Sequence, residues 1–84
     1  MSVKYKLEPI GEFYAQIRPQ DQAALLEKFE EYSNNHINAR KLYRDNPSEE
    51  NYGKLLEARA EKRAFRLTLI TIGWSAEEIK EEDS

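Results

Sequence analysis

Asn51, Leu55, Ala58, Lys62, Phe65, Leu69 and Ile72 recur at alternating intervals of four and three, the spacing that lines side chains along one side of an α-helix facing a neighbour. No other pattern in the chain restricts the fold as strongly, because it demands a rod of about six turns with a packing partner along its length. The rod is delimited at both ends. Ser48, just after Pro47, can cap the first turn, Glu49 and Glu50 place negative charge there, and Gly73 supplies a left-handed residue to close the other end. One helix from Ser48 to Trp74 follows.

A strand is the competing reading of its second half. Phe65, Leu67 and Leu69 alternate with Arg66 and Thr68, and the run through Ile70, Thr71 and Ile72 is rich in β-branched residues. Helix is preferred, since LLEARAEKRA upstream consists of strong helix formers and no breaker stands between Gly53 and Gly73.

Two further lines run along the same helix. Leu56, Ala60, Arg63, Leu67, Ile70 and Trp74 are apolar mainly toward the C-terminal end, so that end needs a second cover. Tyr52, Arg59, Arg63 and Arg66 form a basic row, for which a solvated helix face is the plainest explanation. Glu50 and Lys54 are a favourable i,i+4 pair, whereas Arg59 with Arg63 and Lys62 with Arg66 repel.

The partner for the seam lies upstream. From Pro19, at a first-turn position, to about Arg44 the chain is continuously helix-compatible, and Leu25, Phe29, Tyr32, His36, Ala39 and Tyr43 repeat with the same rhythm. Ser33, Asn34 and Asn35 lower helix propensity and leave room for a local kink or break. The short connection Asp45–Asn46–Pro47 folds the two helices into an antiparallel hairpin, with Phe29 near Phe65, Tyr32 near Lys62 and Leu25 near Leu69.

The flanks are read from shorter patterns. Val3, Tyr5 and Leu7 alternate with Lys4, Lys6 and Glu8, giving an extended segment that, without an evident strand partner, is taken as an arm. Ile10, Phe13, Tyr14 and Ile17 after Pro9 have the spacing of a short amphipathic helix suited to covering Leu67, Ile70 and Trp74. Ser75 and Glu78 make a capping box for a last helix ending near Glu82. The expected fold is an all-α antiparallel helical hairpin of two long helices with short flanking helices and an extended N-terminal arm. It forms one domain over residues 1–84, with residues 1–8 as the arm and 79–84 as an acidic tail.

Composition narrows the function. There is no cysteine and one histidine, His36, which speaks against thiol chemistry, disulfides and a histidine- or cysteine-based metal site. No apolar run approaches the ~20 residues of a membrane span and nothing resembles a signal peptide, so a cytoplasmic protein is expected. Carboxylates lie on outward positions without fixed pairing, Ser48 and Ser75 are explained as caps, and His36 sits on a packed seam. No catalytic set, cofactor or metal is therefore expected. The net charge of −3 argues against a general nucleic-acid binder, although residues 36–66 carry eight basic and five acidic side chains. SAEEIKEED would repel phosphates from a recognition helix in a helix-turn-helix arrangement.

What remains is a binding surface. Arg40 and Arg44 from the first helix join Arg59, Lys62, Arg63 and Arg66 from the second, flanked by Tyr43 and Tyr52, in the arginine and tyrosine composition shared by protein interfaces and anion sites. Two helices of about 25 residues, each roughly 37 Å long, exceed what a compact chain of this size can cover. Self-association as a homodimer, or docking onto another protein, would complete the seam. The sequence thus points to a small non-catalytic protein-interaction module, of the kind found in bacterial or phage-type regulators that bind and modulate a partner. The alternative is an anion, nucleotide or nucleic-acid binder using the arginine and tyrosine patch.

Overall fold

The computed structural model describes residues 4–79 and shows a strand, two long helices and a second strand: β1 (Tyr5–Pro9), α1 (Pro19–Asp45), α2 (Glu49–Thr71) and β2 (Trp74–Glu78). The helices form the antiparallel hairpin and the strands form one two-stranded antiparallel sheet at its base.

α2 begins where its sequence signals lie. The Ser48 hydroxyl accepts a hydrogen bond from the Asn51 backbone N–H at 3.1 Å, and the Asn51 side chain donates to the Asn46 carbonyl at 2.8 Å, tying the hairpin loop to the first turn. Glu50 and Lys54 form the expected pair at 3.6 Å. The helix continues through Phe65–Thr71 without strand character. It ends by tightening, with Ile72 N–H donating to Leu69 O and Gly73 N–H to Ile70 O, before Gly73 turns the chain at φ +88°.

α1 opens on Pro19, with Asp21 accepting from the Arg18 guanidinium at 2.9 Å, and runs unbroken past Ser33–Asn35. The helix does not break there: Ser33 is fully buried and Asn34 partly so, and tertiary packing overrides their weak local preference. Across the hairpin Phe65 meets Phe29 and Tyr32, with ring centroids 6.2 and 5.6 Å away.

The all-α expectation fails at both ends of the chain. The N-terminal arm is a strand, and the segment expected as a last capped helix is its partner, in the register Tyr5↔Glu78, Leu7↔Ala76 and Pro9↔Trp74. Alternation explains the choice: Tyr5 and Leu7 face the helices while Lys6 and Glu8 stay outside, paired at 3.0 Å, and Trp74 and Ala76 are buried while Glu77 is exposed. As a helix, residues 75–82 would leave Leu7 and the Phe29–Leu69 pair uncovered. Residues 1–3 of the expected arm and 80–84 of the expected acidic tail lie outside the described residues.

The short helix expected after Pro9 is absent as well, and residues 10–18 form an irregular crossing. Its backbone is committed elsewhere: Ile10 N–H donates to Gly73 O and Ala15 N–H to Ile72 O, both at 2.9 Å, while Ala15 O accepts from the Trp74 indole at 2.8 Å. Tertiary bonds to the frayed end of α2 replace the helix's own ladder. Gly11 adds to the cost of the helical alternative.

The core lies between sheet and hairpin. Phe29 and Leu69, each 1% exposed, and Ala76 form its centre, with Tyr5, Leu7, Leu25, Phe65 and Ile72 packed around them. Burying Phe29 or Leu69 contributes about 1.5–3 kcal/mol each. The radius of gyration, 14.7 Å, exceeds the roughly 12 Å of a compact chain this long. The sheet covers the base of the hairpin and leaves its loop end projecting.

Candidate functional site

The arginines and tyrosines expected to make one patch are divided between two surfaces. Arg40, Tyr43 and Arg44, with Ile37, Lys41 and Leu55, line an open groove of about 430 Å³ toward the loop end of the hairpin. The Tyr43 and Tyr52 rings meet there at 5.4 Å. Lys62 stands deeper along the seam, its ammonium 6.0 Å from the Tyr5 ring, and with Arg66 it borders a second cleft beneath β2 beside Tyr5, Phe29 and Glu78. Arg63 borders neither groove.

The second surface is the outer side of α2. At 100° per residue, Tyr52, Leu56, Arg59, Arg63, Arg66, Leu67 and Ile70 fall on a single arc of about 100°, turned away from the Leu55–Leu69 seam. All seven are exposed, the four apolar ones by 42–53%. Leu67 and Ile70 were expected to lie under the residue 10–18 segment. That segment instead spends its hydrogen bonds on the end of α2, and its own Ile10 and Phe13 are exposed, Phe13 by 92%. Only Trp74 of that line is covered, by Tyr14 at 5.5 Å and by its bond to Ala15.

Charge is unbalanced on both surfaces. Among the described residues Arg40, Lys41, Arg59, Lys62, Arg63 and Arg66 form no ion pair, and Arg44 meets only its neighbour Asp45 at 3.7 Å, an exposed contact of small worth. The opposite side of α2 carries the exposed Glu50, Glu57 and Glu61. The arginines of α2 are therefore set apart from these carboxylates, among which Lys54 stands paired with Glu50. Among the described residues no group of three histidine or acidic side chains could hold a metal, and no helix is long and apolar enough to cross a membrane.

His36, read from the sequence as a seam residue, stands among these cations. Its pKa is held below the ordinary value first by burial and then by the positive charges of Lys62, Arg40 and Arg59. Its Nε2 is buried without a hydrogen-bond partner among the described residues, as is the Ser33 hydroxyl one helical turn away. Both long helices thus bring charge to the histidine, a convergence that the 4,3 repeat could not reveal because it registers side-chain size and not sign.

Comparison with family models, curated proteins and solved structures returned no match. The reading of these surfaces rests on their geometry.

A pH effect follows from the lowered pKa of His36. The unfolded chain takes up the imidazole proton before the folded chain does, so the stability contributed by the neutral ring is complete above the unfolded value of 6.5 and is lost as pH falls through the folded value. Urea melts between about pH 7.5 and about pH 5.5 are expected to show a midpoint that falls more for this chain than for His36→Gln. Equal falls would mean that folding does not lower the pKa of His36.

Proposed function

We propose that this chain is a non-catalytic protein-binding module whose partner docks on the outer stripe of α2. The observation that carries this is the exposure, along one helix face, of Tyr52, Leu56, Leu67 and Ile70 around a centre of unpaired arginines, Arg59, Arg63 and Arg66. Apolar anchors framed by arginine are the composition of interface centres, and the rigid hairpin presents them preordered.

The pattern selects the occupant. A second copy pairing through the same stripe would set Tyr52 opposite Ile70 but Arg59 opposite Arg63 when antiparallel, and Arg59 opposite Arg59 when parallel. Like charges meet at the centre in both cases. An amphipathic helix with acidic residues at its middle and aliphatic or aromatic residues on either side satisfies both parts of the stripe. By binding such a helix the module would modulate the protein that carries it.

The test compares variants on one immobilised chain. A single protein retained from lysate in near-stoichiometric amount should be lost at least about tenfold with Leu67→Glu and with Arg63→Glu, and kept with Glu57→Arg and Glu61→Arg on the opposite face. Equal retention by all four variants would overturn the assignment of the stripe. Light scattering that finds a dimer split by Leu67→Glu would make the occupant a second copy.

A further inference from the structure

Lys62 holds a place on the seam of α2 where an apolar side chain is the ordinary choice. Its ammonium lies 6.0 Å from the Tyr5 ring and forms no ion pair among the described residues, and Arg66, one turn further along α2, is equally without one. Both line the cleft of about 370 Å³ beneath β2, together with Tyr5, Phe29, Ala76 and Glu78. Like charges one helical turn apart repel, and an anion held by both removes that cost.

The β2 side of the cleft carries the other sign. Tyr5 stands directly opposite Glu78 in the sheet, and residues so paired share a face, so Glu78 is turned with Tyr5 toward the helices as Ala76 is with Leu7. The neighbouring Glu77 carboxylate is engaged elsewhere, accepting from the Ser75 hydroxyl at 2.8 Å. The rest of the lining is aromatic and aliphatic, with the Tyr5 ring edge-on to Phe29 at 4.8 Å and Ala76 beside them in the core cluster.

We propose that this cleft binds a free aromatic α-amino acid, its carboxylate on Lys62 and Arg66, its ammonium on Glu78 and its ring against Tyr5. The signs of the lining select the ligand class. A plain carboxylate would meet Glu78 uncompensated and a plain amine would meet two cations, whereas a zwitterion answers both. An ammonium and a guanidinium together supply enough donors for both oxygens of one carboxylate. The cleft volume lies within the range of small-ligand sites, and the tyrosine offers a flat face to an aromatic group. Arg66 also edges the α2 stripe, but Lys62, Tyr5 and Glu78 do not belong to it, so the inference does not rest on the docking surface.

NMR of the intact, isotope-labelled chain compares four probes at matched ionic strength: phenylalanine, phenylpropanoate without the ammonium, phenethylamine without the carboxylate, and glycine without the ring. Phenylalanine should bind more tightly than each of the others by about tenfold and shift the amides of Tyr5, Lys62 and Ala76. Lys62→Gln and the exposed Arg66→Gln should each weaken it by about tenfold. Glu78→Gln should weaken phenylalanine and strengthen phenylpropanoate, an inversion that a loss of folding cannot produce. Leu67→Glu should leave phenylalanine binding unchanged, so failure here and failure of the α2 docking surface are told apart. Phenethylamine bound as tightly as phenylalanine would overturn the site, as would phenylalanine that leaves Tyr5 and Ala76 unshifted or binds Arg66→Gln with unaltered affinity.

Discussion

Phe29→Ala is expected to cost about 3–5 kcal/mol, the range for removing a fully buried phenylalanine. A domain of this length has roughly 4–13 kcal/mol in total, so the variant would lose a large share of its stability and, at the low end of that range, would be largely unfolded at 37 °C. The ring is the hub of the molecule. It is met edge-on by Tyr5 of β1 at 4.8 Å and 88°, lies 6.2 Å from Phe65 of α2, and belongs to the buried cluster with Leu69 and Ala76. Its loss opens a cavity bordered by three elements, and the two strands are too short to close over it without giving up their own pairing. Urea unfolding followed by far-UV circular dichroism measures the effect, with Leu56→Ala on the exposed stripe as the comparison, expected within about 1 kcal/mol of the unaltered chain. A cost for Phe29→Ala below about 1.5 kcal/mol would mean that the sheet does not pack on the hairpin as described.

Gly73→Ala should cost about 2–4 kcal/mol. Gly73 holds φ +88°, and a Cβ there would lie 2.7 Å from the Phe13 carbonyl oxygen and from Tyr14 Cα, and 2.8 Å from Tyr14 Cβ. Two of the three atoms are backbone, so the crossing segment itself must move. With it would go the bonds from Ala15 N–H to Ile72 O and from the Trp74 indole to Ala15 O, which hold the start of β2 in place. As the only tryptophan, Trp74 reports the event directly, and red-shifted emission should accompany the fall in melting temperature. Gly53→Ala is the matched control. It meets nothing within 4 Å inside α2 and should stabilise the chain by up to about 1 kcal/mol. An alanine at position 73 tolerated as well as one at 53 would remove the crossing segment from the account of how the base is closed.

Legibility along the chain followed the length of the pattern. The seam residues Leu25, Phe29, Phe65 and Leu69 repeat over many turns and their helices form. Ser48 and Gly73 act through geometry of their own neighbourhood and appear at the two ends of α2 as read. Ile10, Phe13, Tyr14 and Ile17 have helical spacing in a stretch too short for that spacing to prevail, and backbone bonds to Gly73 and Ile72 take precedence. Ser75 and Glu78 satisfy a capping box, yet the same residues belong to an alternation of large inward and polar outward side chains whose meaning depends on Tyr5 and Leu7 lying alongside. The site residues show the same division. That Arg59 and Arg63 share a helix face follows from spacing, whereas the gathering of Arg40, Arg59 and Lys62 about His36 requires the hairpin to be closed.

Local periodicity and capping were sufficient for the two rods, their loop and the registry of aromatic residues between them, because each is specified by neighbours a few positions apart. Whether the two ends of the chain become helices or strands is not a local question. The first and last described segments each have a weak preference, and pairing them sets Leu7 and Ala76 over Phe29 and Leu69, a gain available only once the hairpin has brought that apolar face into being. The same long-range bonding draws residues 10–18 off the outer face of α2, and so decides that Leu67 and Ile70 are surface and not core.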